Sequence, residues 1–211
     1  MNLTIRMLIL PVINIIQSNK GIMKKLSTIV ALCFLFSACG NSGEPEAEVN
    51  LHDAFYSNLS SLCGEWFTGE STYPDDDDHA LVGNVLKVHV AECDDDRIDV
   101  NLYRDGGETW HATWVVTQRE GGLHLYHDHI GDKEYPEGEE PLTGYGGYAD
   151  DSGTASVQYF PADDHTGEIL PEAATNVWMI QMDLDTGTLV YYLERHDAPR
   201  FRAELTHDQN S

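Results

Sequence analysis

Apolar and polar residues alternate with a period of two along most of the chain beyond residue 60. Leu86, Val88 and Val90 alternate with Lys87 and His89, and Ile98, Val100 and Leu102 with Asp99, Asn101 and Tyr103. Trp110, Ala112, Trp114 and Val116 alternate with His111, Thr113 and Thr117. Successive side chains of a strand point to opposite faces, so this pattern predicts strands with one buried face. Gly121-Gly122 turns the chain into Leu123-His124-Leu125-Tyr126, and Val157 with Tyr159 suggests a further strand. Near the C-terminus, Trp178, Ile180, Met182 and Leu184 share a face, and Asp185-Thr186-Gly187 turns into Leu189, Tyr191 and Leu193. Asp197-Ala198-Pro199 then turns into Phe201, Ala203 and Leu205. With Trp66-Phe67 added, these segments predict an all-β, mainly antiparallel domain over 51–211, an up-and-down barrel of about eight strands. A sandwich is the alternative closure. A barrel removes the sheet edges, and at that size its interior holds side chains or one small ligand. Two short helices interrupt the pattern, Ala54–Leu62 and His165–Ala174, the second with Asp163 near its N-cap.

The N-terminal region breaks the alternation and reads as an address. Lys24 and Lys25 precede the thirteen-residue apolar run Leu26–Ala38. Such a run is too short for a spanning helix, which needs roughly 18 residues, and suits the core of an export signal. It ends in Leu35-Phe36-Ser37-Ala38-Cys39-Gly40, which resembles the lipobox of bacterial lipoproteins, with Phe36 in place of the usual aliphatic residue. The resemblance implies cleavage before Cys39 and lipid on its sulfur. Gly40 resembles the residue found there in lipoproteins sorted to the outer membrane, and implies a periplasmic face. The expected division is a signal region 1–38, with the signal peptide at 23–38 and residues 1–22 preceding a second start at Met23. A lipidated tether 39–50 and the β-domain follow.

Charge and cysteines narrow the partners. Twelve Lys and Arg stand against 36 Asp and Glu, a net charge of −24. No basic stripe is available to neutralise phosphates, so nucleic acid is excluded as a partner, as is adsorption to anionic lipid through charge. The membrane contact expected is the lipid anchor alone. Cys33 falls in the signal and Cys39 carries lipid, leaving Cys63 and Cys93 as an even pair in an exported chain. Without a C-x-x-C motif, a structural disulfide is the expected use.

Two further likenesses are present. Gly64-Glu65-Trp66 follows a short helix and opens the first strand, while Arg195, Arg200 and Arg202 lie in the last hairpin. This resembles the calycin, or lipocalin-like, arrangement, which implies that the Trp packs against a basic residue from the end of a barrel. His127-Asp128-His129, Leu142–Gly147, Gly153-Thr154-Ala155, Phe160-Pro161-Ala162-Asp163 and Thr175-Asn176-Val177-Trp178 resemble a group of secreted proteobacterial proteins. That second likeness carries no activity with it.

Candidate chemistry centres on His127 and His129. If the strand from Leu123 continues, both share its inward face with Leu123 and Leu125. Two imidazoles two residues apart on a strand can ligate one divalent metal ion, with Asp128 or a loop acid adding to them. Their alternative use is hydrogen bonding at a strand end. The long segment Ile130–Ser152 is expected to act as a lid. The candidate cavity lining is Trp66, Trp110, Trp114, Trp178, Tyr191 and Arg195, with Tyr126 and Tyr159 as further aromatics. Plain core packing is their alternative role. Asp75–Asp78 with His79, and Asp94–Asp96, read as solvated acidic turns rather than calcium loops. Nucleophile-elbow, phosphate-loop, dinucleotide and zinc-protease motifs are absent. The leading expectation is therefore an outer-membrane lipoprotein that binds a small apolar or amphipathic ligand in its barrel. The alternatives are a metal-dependent protein centred on His127 and His129, and a structural lipoprotein with a protein partner.

Overall fold

An N-terminal helix and ten antiparallel strands make up the framework of the computed structural model, which describes residues 49–74 and 79–208. The expected signal region, Cys39, the tether up to residue 48 and Asp75–Asp78 lie outside the described residues. The strands are β1 (Trp66–Tyr73), β2 (Leu86–Cys93), β3 (Arg97–Arg104), β4 (Thr109–Arg119), β5 (Gly122–Asp128), β6 (Tyr145–Tyr148), β7 (Val157–Pro161), β8 (Asn176–Asp183), β9 (Thr188–Arg195) and β10 (Ala198–His207). They form one sheet in the order β6-β5-β4-β3-β2-β1-β10-β9-β8-β7. The first and last strands pair through Phe67↔His207 to Tyr73↔Arg202, so the sheet curls until β6 and β7 face each other. The result is a nearly closed up-and-down barrel.

The β6–β7 seam is bridged rather than laddered. Asp150 N–H donates to the Tyr159 carbonyl at 3.0 Å, and Asp163 N–H to the Gly146 carbonyl at 3.0 Å. The buried Thr166 hydroxyl donates to the Gly146 carbonyl and accepts from its N–H, both at 2.7 Å. Side chains at Gly146 and Gly147 would collide with the carbonyls of Leu125 and Pro161. Glycine is therefore required at Gly147, where the two edges approach, and at Gly146, where β5 lies close.

One end of the barrel is closed by α1 (Leu51–Ser60). Asn50 caps it by accepting from the N–H groups of His52 at 3.0 Å and Asp53 at 3.3 Å. Phe55 and Leu59, one turn apart, enter the barrel core, where Phe55 meets Phe160 edge-on at 6.5 Å. Burial of each such side chain stabilises by roughly 1.5–3 kcal/mol. Tyr56 Oη donates to the Asp94 carbonyl at 2.9 Å and Asn58 Nδ2 to the Ala155 carbonyl at 2.8 Å, which fixes the helix on the strand ends. The Cys63–Cys93 disulfide joins the segment after α1 to the end of β2.

Several sequence expectations change. The sheet has ten strands rather than eight, because β6 (Tyr-Gly-Gly-Tyr) carries no apolar alternation and is held by its backbone. The first helix runs Leu51–Ser60 rather than Ala54–Leu62, since Asn50 is its cap. The second is only Asp164–Ile169, capped by Asp163, and gives way to a 3-10 turn at Pro171–Ala173. The β9–β10 turn is His196-Asp197, with φ of 54° and 57°, rather than Asp197-Ala198-Pro199. Two positive-φ residues match the right-handed twist of the flanking strands. The β8–β9 turn falls where expected, with Asp183 Oδ1 accepting from the N–H groups of Asp185 and Thr186, each at 3.0 Å.

Replacing Cys63 and Cys93 together by serine frees a loop spanning 30 positions. Chain entropy sets the expected loss at roughly 3–4 kcal/mol. Urea unfolding should show a lowered midpoint in the variant, and the wild type should match it once reduced.

Candidate functional site

The inward phase of seven strands converges at the barrel end opposite α1. On β9 the inward series Leu189, Tyr191, Leu193 continues to Arg195, and on β8 the series Met182, Ile180, Trp178 continues to Asn176. Asn176 and Arg195 are direct cross-strand partners. β5 contributes His127 and, one step beyond, His129; β10 contributes Phe201. These side chains surround a cavity of about 190 Å³ that opens at the mouth. His79 and Leu81, from the β1–β2 connection, and Leu170 also line it.

β4 enters through an irregularity. Leu102 pairs with Ala112 but Tyr103 pairs with Trp110, so His111 has no partner of its own. This bulge puts both His111 and Ala112 on the cavity wall and turns Trp110 to the outside. On the outer face, Trp110 Nε1 donates to Thr113 Oγ1 at 3.2 Å and its ring lies under the Lys133 ammonium at 4.4 Å.

Aromatic rings form the floor. Trp114 stacks on Tyr191 with centroids 4.1 Å apart and planes 9° from parallel, and Trp178 sits 5.0 Å from the His127 ring. His127 is buried and spends both nitrogens. Its Nδ1 contacts the Tyr145 carbonyl at 3.2 Å; a carbonyl only accepts, so Nδ1 carries the proton. Its Nε2 therefore accepts from the Tyr191 hydroxyl at 2.7 Å. His129 Nε2 meets the Tyr145 hydroxyl at 2.8 Å, and the ring also hydrogen-bonds the His111 main chain. A chain of polar contacts thus runs from the buried floor to the mouth.

Electrostatics keep these imidazoles neutral. Burial, with smaller effects from His129, Arg104 and His79, pushes His111 down to about 4. Burial drives His127 down to about 3, and lowers His129 against the pull of its bond to the His111 main chain. Burial also raises Tyr145 to about 12, while the Arg195 charge works in the other direction. Tyr191 is raised well above the usual phenol value by burial.

The sequence-chosen residues separate into two groups. Trp114, Trp178, Tyr191, Arg195, His127 and His129 come together around the cavity. Trp66 does not; it stacks on His89 at 4.2 Å and tilts against Tyr103 at 5.5 Å, and among the described residues no arginine lies over its face. Trp110 is outside, as above. Asp128 points away from the two histidines into an outer groove, where its Oδ1 accepts from the N–H groups of Ile130 at 2.9 Å and Gly131 at 3.0 Å. Burial alone would raise its pKa, but those N–H bonds hold it below the usual carboxylate range. The segment after His129 leans outward on Trp110 and contributes only Tyr145 to the cavity wall, so it does not lie across the mouth.

The two imidazoles expected to share a metal have centroids 6.4 Å apart. Two histidines on one tetrahedral ion, with bonds of about 2 Å, would sit about 5 Å apart. The ring contacts with Tyr191 and Tyr145 also occupy the nitrogens a metal would need. Among the described residues, no group of three or more His, Cys, Asp or Glu side chains is arranged to hold a metal ion.

His111, Tyr145, Asn176 and His79 join the site without having been foreseen. Asn176 stood in phase with Trp178 and Ile180, a signal that was legible. His111 was concealed by the bulge, and Tyr145 by its glycine-rich surroundings. Comparison with family models, curated proteins and solved structures finds no match for this chain.

Acid should weaken the fold through these histidines. Unfolded imidazoles titrate near pH 6.5, whereas His111 and His127 titrate at about 4 and about 3. Between those values the unfolded chain takes up protons that the native protein refuses. Stability is therefore intact above about pH 6.5 and falls on acidification by up to about 1.4 kcal/mol per pH unit for each histidine. Urea midpoints at pH 7.5 and 5.0 should differ, and His111→Gln should narrow the difference. Tyr191→Phe leaves the buried His127 Nε2 without its donor, with an expected loss of about 1–3 kcal/mol in the same measurement.

Proposed function

We propose that the protein is a lipoprotein of the outer membrane, anchored through Cys39 and facing the periplasm, which holds a small ligand in the mouth of a lipocalin-like barrel. The lipobox resemblance and Gly40 support the anchor and its address. The polar stretch from Gly40 to Asn50 supports a domain held a short distance from the bilayer. The observation that carries the binding reading is the cavity itself. One end of the barrel is closed by a helix, and the other opens onto stacked aromatic rings with a few convergent polar groups. That is the composition of ligand sites in general. A structural lipoprotein needs no such opening, which is why ligand binding is preferred over that reading. The metal-centred alternative loses support because the ring nitrogens of His127 and His129 already have tyrosine partners.

The cavity volume of about 190 Å³ bears on the size of the occupant. Sites for drug-sized molecules run from roughly 300 to 1,000 Å³. The ligand is accordingly small, of the order of one ring, and a long acyl chain does not fit.

Expression of the full chain in a Gram-negative host tests both halves. Wild type should fractionate with outer membranes and Cys39→Ala should not. Native mass spectrometry of the purified protein should show a small-molecule excess that resists chelation and is lost in Leu170→Trp, which narrows the mouth. A bare mass together with an unoccupied cavity in every preparation would overturn the binding reading, and an excess removed by a chelator would return the site to metal.

A further inference from the structure

The eight Lys and Arg side chains in the described residues are not equally satisfied. Lys87, Arg97, Arg104 and Arg202 each have a carboxylate within 4.0 Å. Arg119 and Lys133 lie over the rings of Tyr126 and Trp110, and Arg200 is exposed. Arg195 is different. It is half-buried, faces into the cavity, and has no carboxylate within ion-pair distance among the described residues. Arg119, Lys133 and Arg200 also lack such a carboxylate among the described residues, and Arg195 alone of these four lines the cavity.

The arginine is also positioned. Buried Asn176, its cross-strand partner, accepts from Arg195 Nε at 2.7 Å. This neutral contact fixes one edge of the guanidinium and leaves the Nη1 and Nη2 donors without a protein acceptor among the described residues. A guanidinium presents two parallel N–H groups matched to a carboxylate. A half-buried cation with no counter-charge is costly, and an anionic ligand offsets that cost. Burial lowers His111 and His129, so these two imidazoles add no positive charge at neutral pH. Arg195 is thus the one arginine or lysine among the described lining residues, over a floor of Trp114, Trp178 and Tyr191.

Building on the ligand-binding reading above, we propose that the cavity selects a single-ring aromatic monocarboxylate. Its carboxylate lies on the Arg195 fork and its ring on the aromatic floor. The volume suits an occupant of about one ring, and a lone arginine disfavours dianions.

The test is a fluorescence titration of the full-length protein in lipid nanodiscs at pH 7.5, with benzoate and its neutral isostere benzamide as probes. Tryptophans in the floor report occupancy. Benzoate should bind at least tenfold more tightly than benzamide. Arg195→Gln should erase that preference, and a cooperative urea transition followed by the same tryptophan signal shows that the variant is folded. Arg195→Lys should keep part of the preference, because it retains the charge and loses the fork. Equal binding of the two probes by wild type, or an undiminished preference in Arg195→Gln, overturns the anion proposal and leaves the cavity reading standing. Failure of both probes to bind overturns the anion proposal. If native mass spectrometry also finds the protein bare, it removes the cavity reading with it.

Discussion

Everything inside this barrel depends on how its last two edges meet. A sheet that curls through ten strands ends with β6 and β7 facing each other, each with unpaired backbone groups. No regular ladder joins them. Two main-chain bonds and the buried hydroxyl of Thr166 satisfy the groups that a ladder would have taken. Gly147 lets the strands come close enough for this to work. His124 and Asp163 reinforce the same place with a contact at 3.2 Å. Without closure there, Tyr191 on β9 would not reach His127 on β5, and the polar chain from floor to mouth would be broken.

The interior is divided by use. Toward α1 it is filled with aliphatic and aromatic side chains, as a stable core requires. Toward the mouth the same inward positions carry rings, imidazoles, an amide and a guanidinium. Polar groups tolerate that location because each has a partner or an opening to solvent. His127 shows the principle in its strict form: it is buried, neutral and bonded through both nitrogens. Such a residue is a poor proton carrier and a poor metal ligand, but a good structural support for a ligand floor.

Among the described residues no Asp or Glu lines the cavity. Asp128, the nearest acid to the histidine pair in sequence, points away and holds a turn. Other carboxylates of the strands pair with cations along the outer face, as in Arg97–Asp99 and Arg202–Glu204. Exposed pairs of this kind contribute little to stability. Excess charge on that face favours solubility, and Arg195 is the one arginine or lysine among the described lining residues.

Periodicity settled most of the architecture before any coordinates. The inward faces of β2, β3, β5, β8, β9 and β10 follow the alternation of apolar residues, because one buried face is enough to impose period two. The cysteine pair and the Asp183–Gly187 turn were legible for the same kind of local reason. Three features were not. The strand Tyr145–Tyr148 is made by its neighbours' backbones and has no side-chain pattern to betray it. The bulge at His111 shifts one residue against its partner strand, so that Trp110 leaves the interior and an imidazole enters. The loop beyond His129 was free by length to cover the mouth, yet packs outward on Trp110. Each is decided by contacts between residues far apart in the chain, which no local period records. The fold class was thus written along the sequence, whereas the membership of the pocket was set by register, and register exists only once strands are paired.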